Sequence, residues 1–204
     1  MSAKHDPAAK DERGNVLPFR RDEGPGARPE GEWATYDELA SEDAFTGLAG
    51  HPWFEDDLRG AARRRRGDEN PWVAVAVAEG LDDIDARLGP AAAGKATRAV
   101  AVRLRDSLRA GDKIARLGRD TFGLIVDAPY AGEALTALER IEQSVRRLVD
   151  ENPRWEGLRL RVGLAPLWST DPAAALTHAT EALERARAHG GAAVAMTTAP
   201  RPPG

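Results

Sequence analysis

Cysteine is absent from the 204 residues, which excludes a disulfide scaffold, a thiolate metal site and a cysteine nucleophile. Long apolar runs are missing as well. With a mean hydropathy of −0.49, no stretch approaches the roughly 20 apolar residues that a membrane helix needs. Excess positive charge is also lacking: a net charge of −4 gives no global attraction to nucleic acid, whose phosphates favour strongly basic partners. The histidines, His5, His51, His178 and His189, have no metal-ligand spacing, and no Ser-His-Asp arrangement is visible. Met1 to Asp11 carries charges but no apolar core of the signal-peptide kind, so a cytoplasmic location is expected.

What is present is 42% hydrophobic and 30% charged residues, enough for one ordinary globular domain with loose ends. Residues 1–34 are charged, rich in Gly and Pro and poor in large apolar side chains, so they read as a disordered tail. The cluster Val16-Leu17-Pro18-Phe19 within it reads as an isolated patch in preference to a docking motif. A folded domain is expected over 35–197, opening on a capping box of Thr35 and Glu38 ahead of Leu39. Residues 198–204 are Pro-rich and expected to be loose.

Within the domain, Phe54 to Arg66 places Phe54, Leu58, Ala61 and Ala62 on one helix face. Trp72 to Val77 alternates Val with Ala as a buried strand does. A short helix through Leu81, Ile84 and Leu88 and a longer one from Ala96 to Leu108 follow. Ile114 to Leu117 and Phe122 to Val126 are two strands joined by Gly118-Arg119-Asp120-Thr121, a hairpin. Glu133 to Asp150 is amphipathic, Leu158 to Leu164 is a strand, Pro172 to His189 a helix, and Ala192 to Met196 a last strand. The fold class is α/β (α+β), a central mixed sheet of about five strands flanked by helices.

Four motifs carry a resemblance across Asp43 to Met196. Asp43-Ala44-Phe45-Thr46-Gly47-Leu48 opens the domain, with Gly50-His51-Pro52 and Phe54 after it. Arg116-Leu117-Gly118-Arg119-Asp120-Thr121-Phe122 forms the hairpin, and Arg109-Ala110-Gly111-Asp112 lies just upstream. Ala179 to Leu183 with Arg187 and Gly190 marks the final helix. In order and spacing the chain resembles the GGDEF family of diguanylate cyclases, a resemblance that implies the family's nucleotidyl-cyclase-like fold, bacterial signal transduction and cyclic di-GMP. The family's inhibitory Arg-x-x-Asp site would then fall on Arg109 and Asp112, and its final-helix Lys on Arg187.

The family's chemistry, cyclising two GTP molecules, needs hard oxygen ligands for a divalent cation. The resemblance places the strand ligand at Val77, which cannot ligate. Glu79, two residues along on the same strand face, could substitute only with a register shift. In the hairpin Asp120 keeps a ligand type as a vestigial metal candidate, Thr121 replaces a Glu, and Arg119 replaces the Gly that lets backbone approach phosphates. Of the guanine-reading positions, Asp85 lacks the amide donor that O6 needs, and the later one falls on Gly94 or Lys95. No catalytic residue is therefore assigned: Gly118, Arg119, Asp120, Thr121 and Phe122 read as a degenerate signature with no cofactor, and magnesium enters only if residual cyclase activity exists.

Two rival readings are weaker. Gly89 to Lys95 fits Gly-x-x-x-x-Gly-Lys of a phosphate loop, but Ala96 replaces the hydroxyl residue and no strand precedes it, so a turn between helices is expected. Arg-x-x-Asp also occurs at Arg65 to Asp68, Arg103 to Asp106 and Arg147 to Asp150, read as local helix pairs or solvated ends. Arg63 to Arg66 reads as a solvated helix end. Trp53, Trp72, Trp155 and Trp168 read as core and edge aromatics.

The expected function is therefore a catalytically inactive cyclic di-GMP receptor acting through Arg109 and Asp112 and signalling to an unidentified protein partner as a stand-alone adaptor. The alternatives are a nucleotide-independent interaction module of the same fold and a weak or atypical cyclase using Glu79 and Asp120. Neither membrane nor nucleic acid is expected as a partner. The family's head-to-head homodimer is not required of a chain with a dismantled site, so the oligomeric state stays open.

Overall fold

A computed structural model describes residues 42–64, 71–167, 172–188 and 193–197. The expected tail, the cap at Thr35, the Arg65 to Asp68 copy, Trp168, His5, His189 and the C-terminal segment lie outside them. The elements run α1 (His51–Arg64), β1 (Trp72–Glu79), α2 (Leu81–Leu88), α3 (Pro90–Ser107), β2 (Lys113–Arg116), β3 (Thr121–Val126), α4 (Ala131–Glu151), β4 (Arg159–Pro166), α5 (Pro172–Ala188) and β5 (Val194–Met196). A single 3-10 turn, Pro153–Trp155, joins α4 to β4.

The sheet has the order β2-β3-β1-β4-β5. Its pairs are antiparallel except β4 with β5, which is parallel. The period of two along β1 decides its packing. Ala74, Ala76 and Ala78 join Phe122, Leu124, Leu160 and Leu164 beneath Ile84 of α2, Val100 and Leu104 of α3, and Leu138 and Ile141 of α4. Val73, Val75 and Val77 face the other way, against Phe54 and Leu58 of α1 and Ala179 and Leu183 of α5. Helices therefore cover both faces, and β1, flanked by β3 and β4, is the buried centre.

The approach of α5 to the sheet depends on one residue lacking a side chain. A Cβ at Gly163 of β4 would lie 2.0 Å from the Ala179 carbonyl oxygen and 2.3 Å from the Leu183 nitrogen, so helix backbone rests directly on the strand.

One expected boundary is corrected. The long helix begins at Pro90, not Ala96, so Gly89 to Lys95 is not a turn between helices beyond Gly89 itself. Proline at the first helical position and three alanines after it favour helix there. A phosphate loop is excluded at the same stroke, because α2 and not a strand precedes the segment. Among the described residues no helix is long and apolar enough to cross a membrane.

Candidate functional site

The β2–β3 hairpin is organised by Arg116. Its Nη1 donates to both carboxylate oxygens of Asp43 at 3.0 and 3.1 Å, its Nε to the Gly118 carbonyl at 2.9 Å and its Nη2 to the Arg119 carbonyl at 2.8 Å. One guanidinium thus fastens the hairpin turn to the opening motif. That motif lies along the free edge of β2, with Ala49 bridged to Ala115. Asp43 also accepts from the Thr46 backbone N–H at 2.8 Å and hydroxyl at 2.6 Å. Burial pushes the Asp43 carboxyl up, but the hydrogen bonds from Thr46 and Arg116 outweigh it and hold the group below its ordinary range. The guanidinium groups of Arg98 and Arg116 lie over the Phe45 ring, 4.6 and 5.2 Å from its centroid. The ring also explains Gly94, where a Cβ would approach it to 3.0 Å. A cleft of about 480 Å³ opens between this motif and the hairpin, lined by Glu42, Asp43, His51, Arg116 and Arg119 among others.

At the tip of the hairpin, Arg119 reaches across to α2. Its Nη1 lies 2.8 Å from Asp82 Oδ1 and its Nη2 2.9 Å from Asp85 Oδ2. Asp120 follows it, accepting a bond from the Thr121 hydroxyl at 2.9 Å, while the Asp120 carbonyl accepts from the Ala78 N–H at 2.9 Å. Asp120, Asp82 and Asp83 line a shallow pocket of about 250 Å³ at the start of α2.

Glu79 does not turn toward Asp120. It shares the Val77 face of β1, and its carboxylate meets Arg159 at 2.7 Å, Arg187 at 3.0 Å and Arg161 at 3.6 Å. Partial burial raises its pKa, yet the bonds and charges of Arg159 and Arg187 prevail and lower it. Val77 is buried. The residues present do not fit a divalent cation: one position is apolar, its neighbour is tied to arginines, and among the described residues no group of three His or carboxylate side chains could hold a metal.

At the other end of β2 stands the Arg109 turn. Asp112 folds back on the chain, Oδ2 accepting the Arg109 backbone N–H at 2.9 Å and Oδ1 the Asp127 backbone N–H at 3.0 Å. The Arg109 side chain is exposed, and among the described residues its guanidinium makes no hydrogen bond or ion pair. Arg140 of α4 donates to the Ser107 carbonyl at 3.0 Å, two residues before it.

The Arg-x-x-Asp copy at Arg103 behaves differently. Arg103 bonds to Glu151 of α4 and Asp106 pairs with Arg105, so the expected local pair between Arg103 and Asp106 does not form. The sequence reading did not foresee the partnerships of Arg116 with Asp43, of Arg119 with Asp82 and Asp85, or of Glu79 with three arginines. Each joins distant stretches, and no local spacing announces such pairs.

Comparison with known proteins bears on the family and the fold. The family described as "Diguanylate cyclase, GGDEF domain" matches residues 40–193. Among curated proteins, diguanylate cyclase TpbB of Pseudomonas aeruginosa is 31% identical over 163 residues, 77% of this chain and 37% of TpbB. The chain spans somewhat over a third of the length of the curated relatives it matches. The solved GGDEF domain of TpbB superposes with a TM-score of 0.65 at 30% identity, covering 76% of this chain and 93% of that one. The coiled coil and GGDEF domain of DgcB from Caulobacter crescentus, solved with c-di-GMP, has a TM-score of 0.67 at 21% identity, covers 78% and 86% of the two chains, and speaks to the fold alone.

Proposed function

The chain belongs to the GGDEF family, and from that premise we propose that it senses cyclic di-GMP at Arg109 and Asp112 without making it. The observation that carries this reading is the state of the Arg109 turn: its carboxylate is fixed by two backbone N–H groups, while its guanidinium is exposed with no partner among the described residues. A guanidinium fork matches guanine O6 and N7, and a carboxylate accepts from N1 and N2. Each Asp112 oxygen already accepts one bond and keeps capacity for another. The two backbone bonds pre-position the acceptor, which lowers the ordering penalty of binding. Membership of a family of diguanylate cyclases, whose product is cyclic di-GMP, makes that dinucleotide the first ligand to try.

The inactive half of the reading rests on the signature end. The relatives are named diguanylate cyclases, and a cyclase needs metal ligands where this chain has Val77 and a Glu79 enclosed by arginines, which leaves Asp120 as the one free acid at those positions. The output passes to a protein partner, as befits a domain without its own chemistry.

Calorimetric titration of the full chain with cyclic di-GMP, beside Arg109→Ala and Asp112→Asn, tests the receptor. Saturable heat for the wild type that is lost in Arg109→Ala is expected, and no heat for the wild type overturns it in favour of a nucleotide-independent interaction module. Incubation with GTP and magnesium tests the other half. Dinucleotide product that disappears in Asp120→Ala would establish an atypical cyclase instead.

A further inference from the structure

Arg119 and Asp85 stand at two positions where the sequence reading already placed departures from the family, one in the hairpin signature and one on α2, and they are bonded to each other at 2.9 Å. The same guanidinium takes Asp82 at 2.8 Å. Asp82 and Asp85 are three residues apart on a helix and so share a face, the face turned to the hairpin tip. On its inner side the hairpin is already joined to β1 by the bond from the Ala78 N–H to the Asp120 carbonyl. The two Arg119 bonds close the outer side, beside the pocket that Asp82 and Asp120 line together.

We infer that Arg119 is a specificity-determining strap: it occupies the gap between hairpin and α2 from within the chain and keeps a nucleoside triphosphate out. A ligand entering there must part both ion pairs and leave Asp82 and Asp85 facing its own negative phosphates. Asp85 is the better sheltered partner, with 33% of its side chain exposed against 84% for Asp82, so it contributes the larger share. Exposed pairs are individually weak, and two of them amount to a bias of about tenfold in affinity. This inference rests on the reading that the chain does not cyclise GTP.

The double variant Arg119→Gly with Asp85→Asn removes the strap without changing net charge. Titrations of GTP with magnesium into wild type, Arg119→Gly and the double variant are expected to show binding about tenfold tighter in the double variant than in the wild type. The single variant, which leaves Asp82 and Asp85 uncompensated, should fall between them. Equal affinity for wild type and double variant, including none measurable for either, overturns the strap. Amide exchange across Gly118 to Thr121 gives a second readout on folded Arg119→Ala: faster exchange is expected, and unchanged exchange overturns the inference. Turnover of GTP by the wild type would overturn the non-catalytic reading and the strap with it, because a triphosphate would then reach the hairpin past Arg119, whereas equal affinities without turnover overturn the strap alone.

Discussion

The two ends of β2 hold the same kinds of side chain in opposite states. After the strand, around Gly118, the charged groups answer one another: Arg116 with Asp43, Arg119 with Asp82 and Asp85. Before it, Asp112 is engaged by backbone alone, and among the described residues the Arg109 guanidinium has no ion pair. A strand of four residues separates the two by roughly 13 Å. Folding exchanges one set of hydrogen bonds for another, and so does binding. A ligand at the signature end must break bonds that the chain has already made, whereas a ligand at the Arg109 end displaces only water from the guanidinium.

Both ends hang from one sheet, so the largest effect should strike them together. Gly163→Ala forces a Cβ to within 2.0 Å of the Ala179 carbonyl oxygen, and backbone cannot yield as a side chain would. A loss of about 3–5 kcal/mol in denaturant unfolding is expected, with ligand binding lost in parallel. If stability survives, the seating of α5 on β4 is not what both ends hang from.

Next in size is a pair of substitutions that should separate the ends. Arg116→Ala strips the hairpin of its bonds to Asp43 and two carbonyls, and Arg116 is only 14% exposed; a loss of about 2–3 kcal/mol in stability is expected. Cyclic di-GMP affinity of the molecules that remain folded should hardly change. Arg109→Ala should do the reverse, leaving the melting temperature in place while weakening the ligand by at least about tenfold. Should both variants fail in both assays, the ends are not independent.

How far these differences were legible in the sequence depends on whether a signal was local. Trp72 to Val77 showed its alternation openly, and α4 showed its stripe of Leu138, Ile141 and Val145, because periodicity is written within one element. The start of α3 is not marked, since Ala91 to Gly94 is alanine and glycine, with no apolar stripe to set a period. The Asp43–Arg116 and Glu79–Arg187 pairs span 73 and 108 residues, and only the folded sheet brings them together. Arg109 could be singled out by register against the hairpin, but register does not tell that its side chain has no partner among the described residues.

A smaller effect, and one with a pH signature, comes from Glu79. Its carboxyl lies below the ordinary value of 4.5, despite partial burial, because of Arg159 and Arg187. A depressed folded pKa stabilises fully above the unfolded value and loses that contribution as pH falls through the folded one. Glu79→Gln should therefore destabilise by about 1–2 kcal/mol at neutral pH. The gap from wild type should hold from pH 7 to about 5 and close as the pH drops below the ordinary value of 4.5. Equilibrium unfolding of both proteins across that range checks it, and a gap that persists to low pH would mean that the arginines respond to the shape of Glu79 and not to its charge.

The smallest effect on stability should come from the strap itself. Arg119 is 63% exposed and Asp82 84%, so both ions keep most of their hydration when paired and gain little by meeting. Arg119→Ala is expected to change unfolding free energy by less than about 1 kcal/mol, and that small change should fade at high salt, which screens exposed pairs. A salt-insensitive loss as large as that of Arg116→Ala would place Arg119 among the supports of the hairpin. A small, screened loss together with a tighter GTP affinity leaves it the role of occupying the gap, and the two ends of β2 then differ in what they exclude as well as in what they can receive.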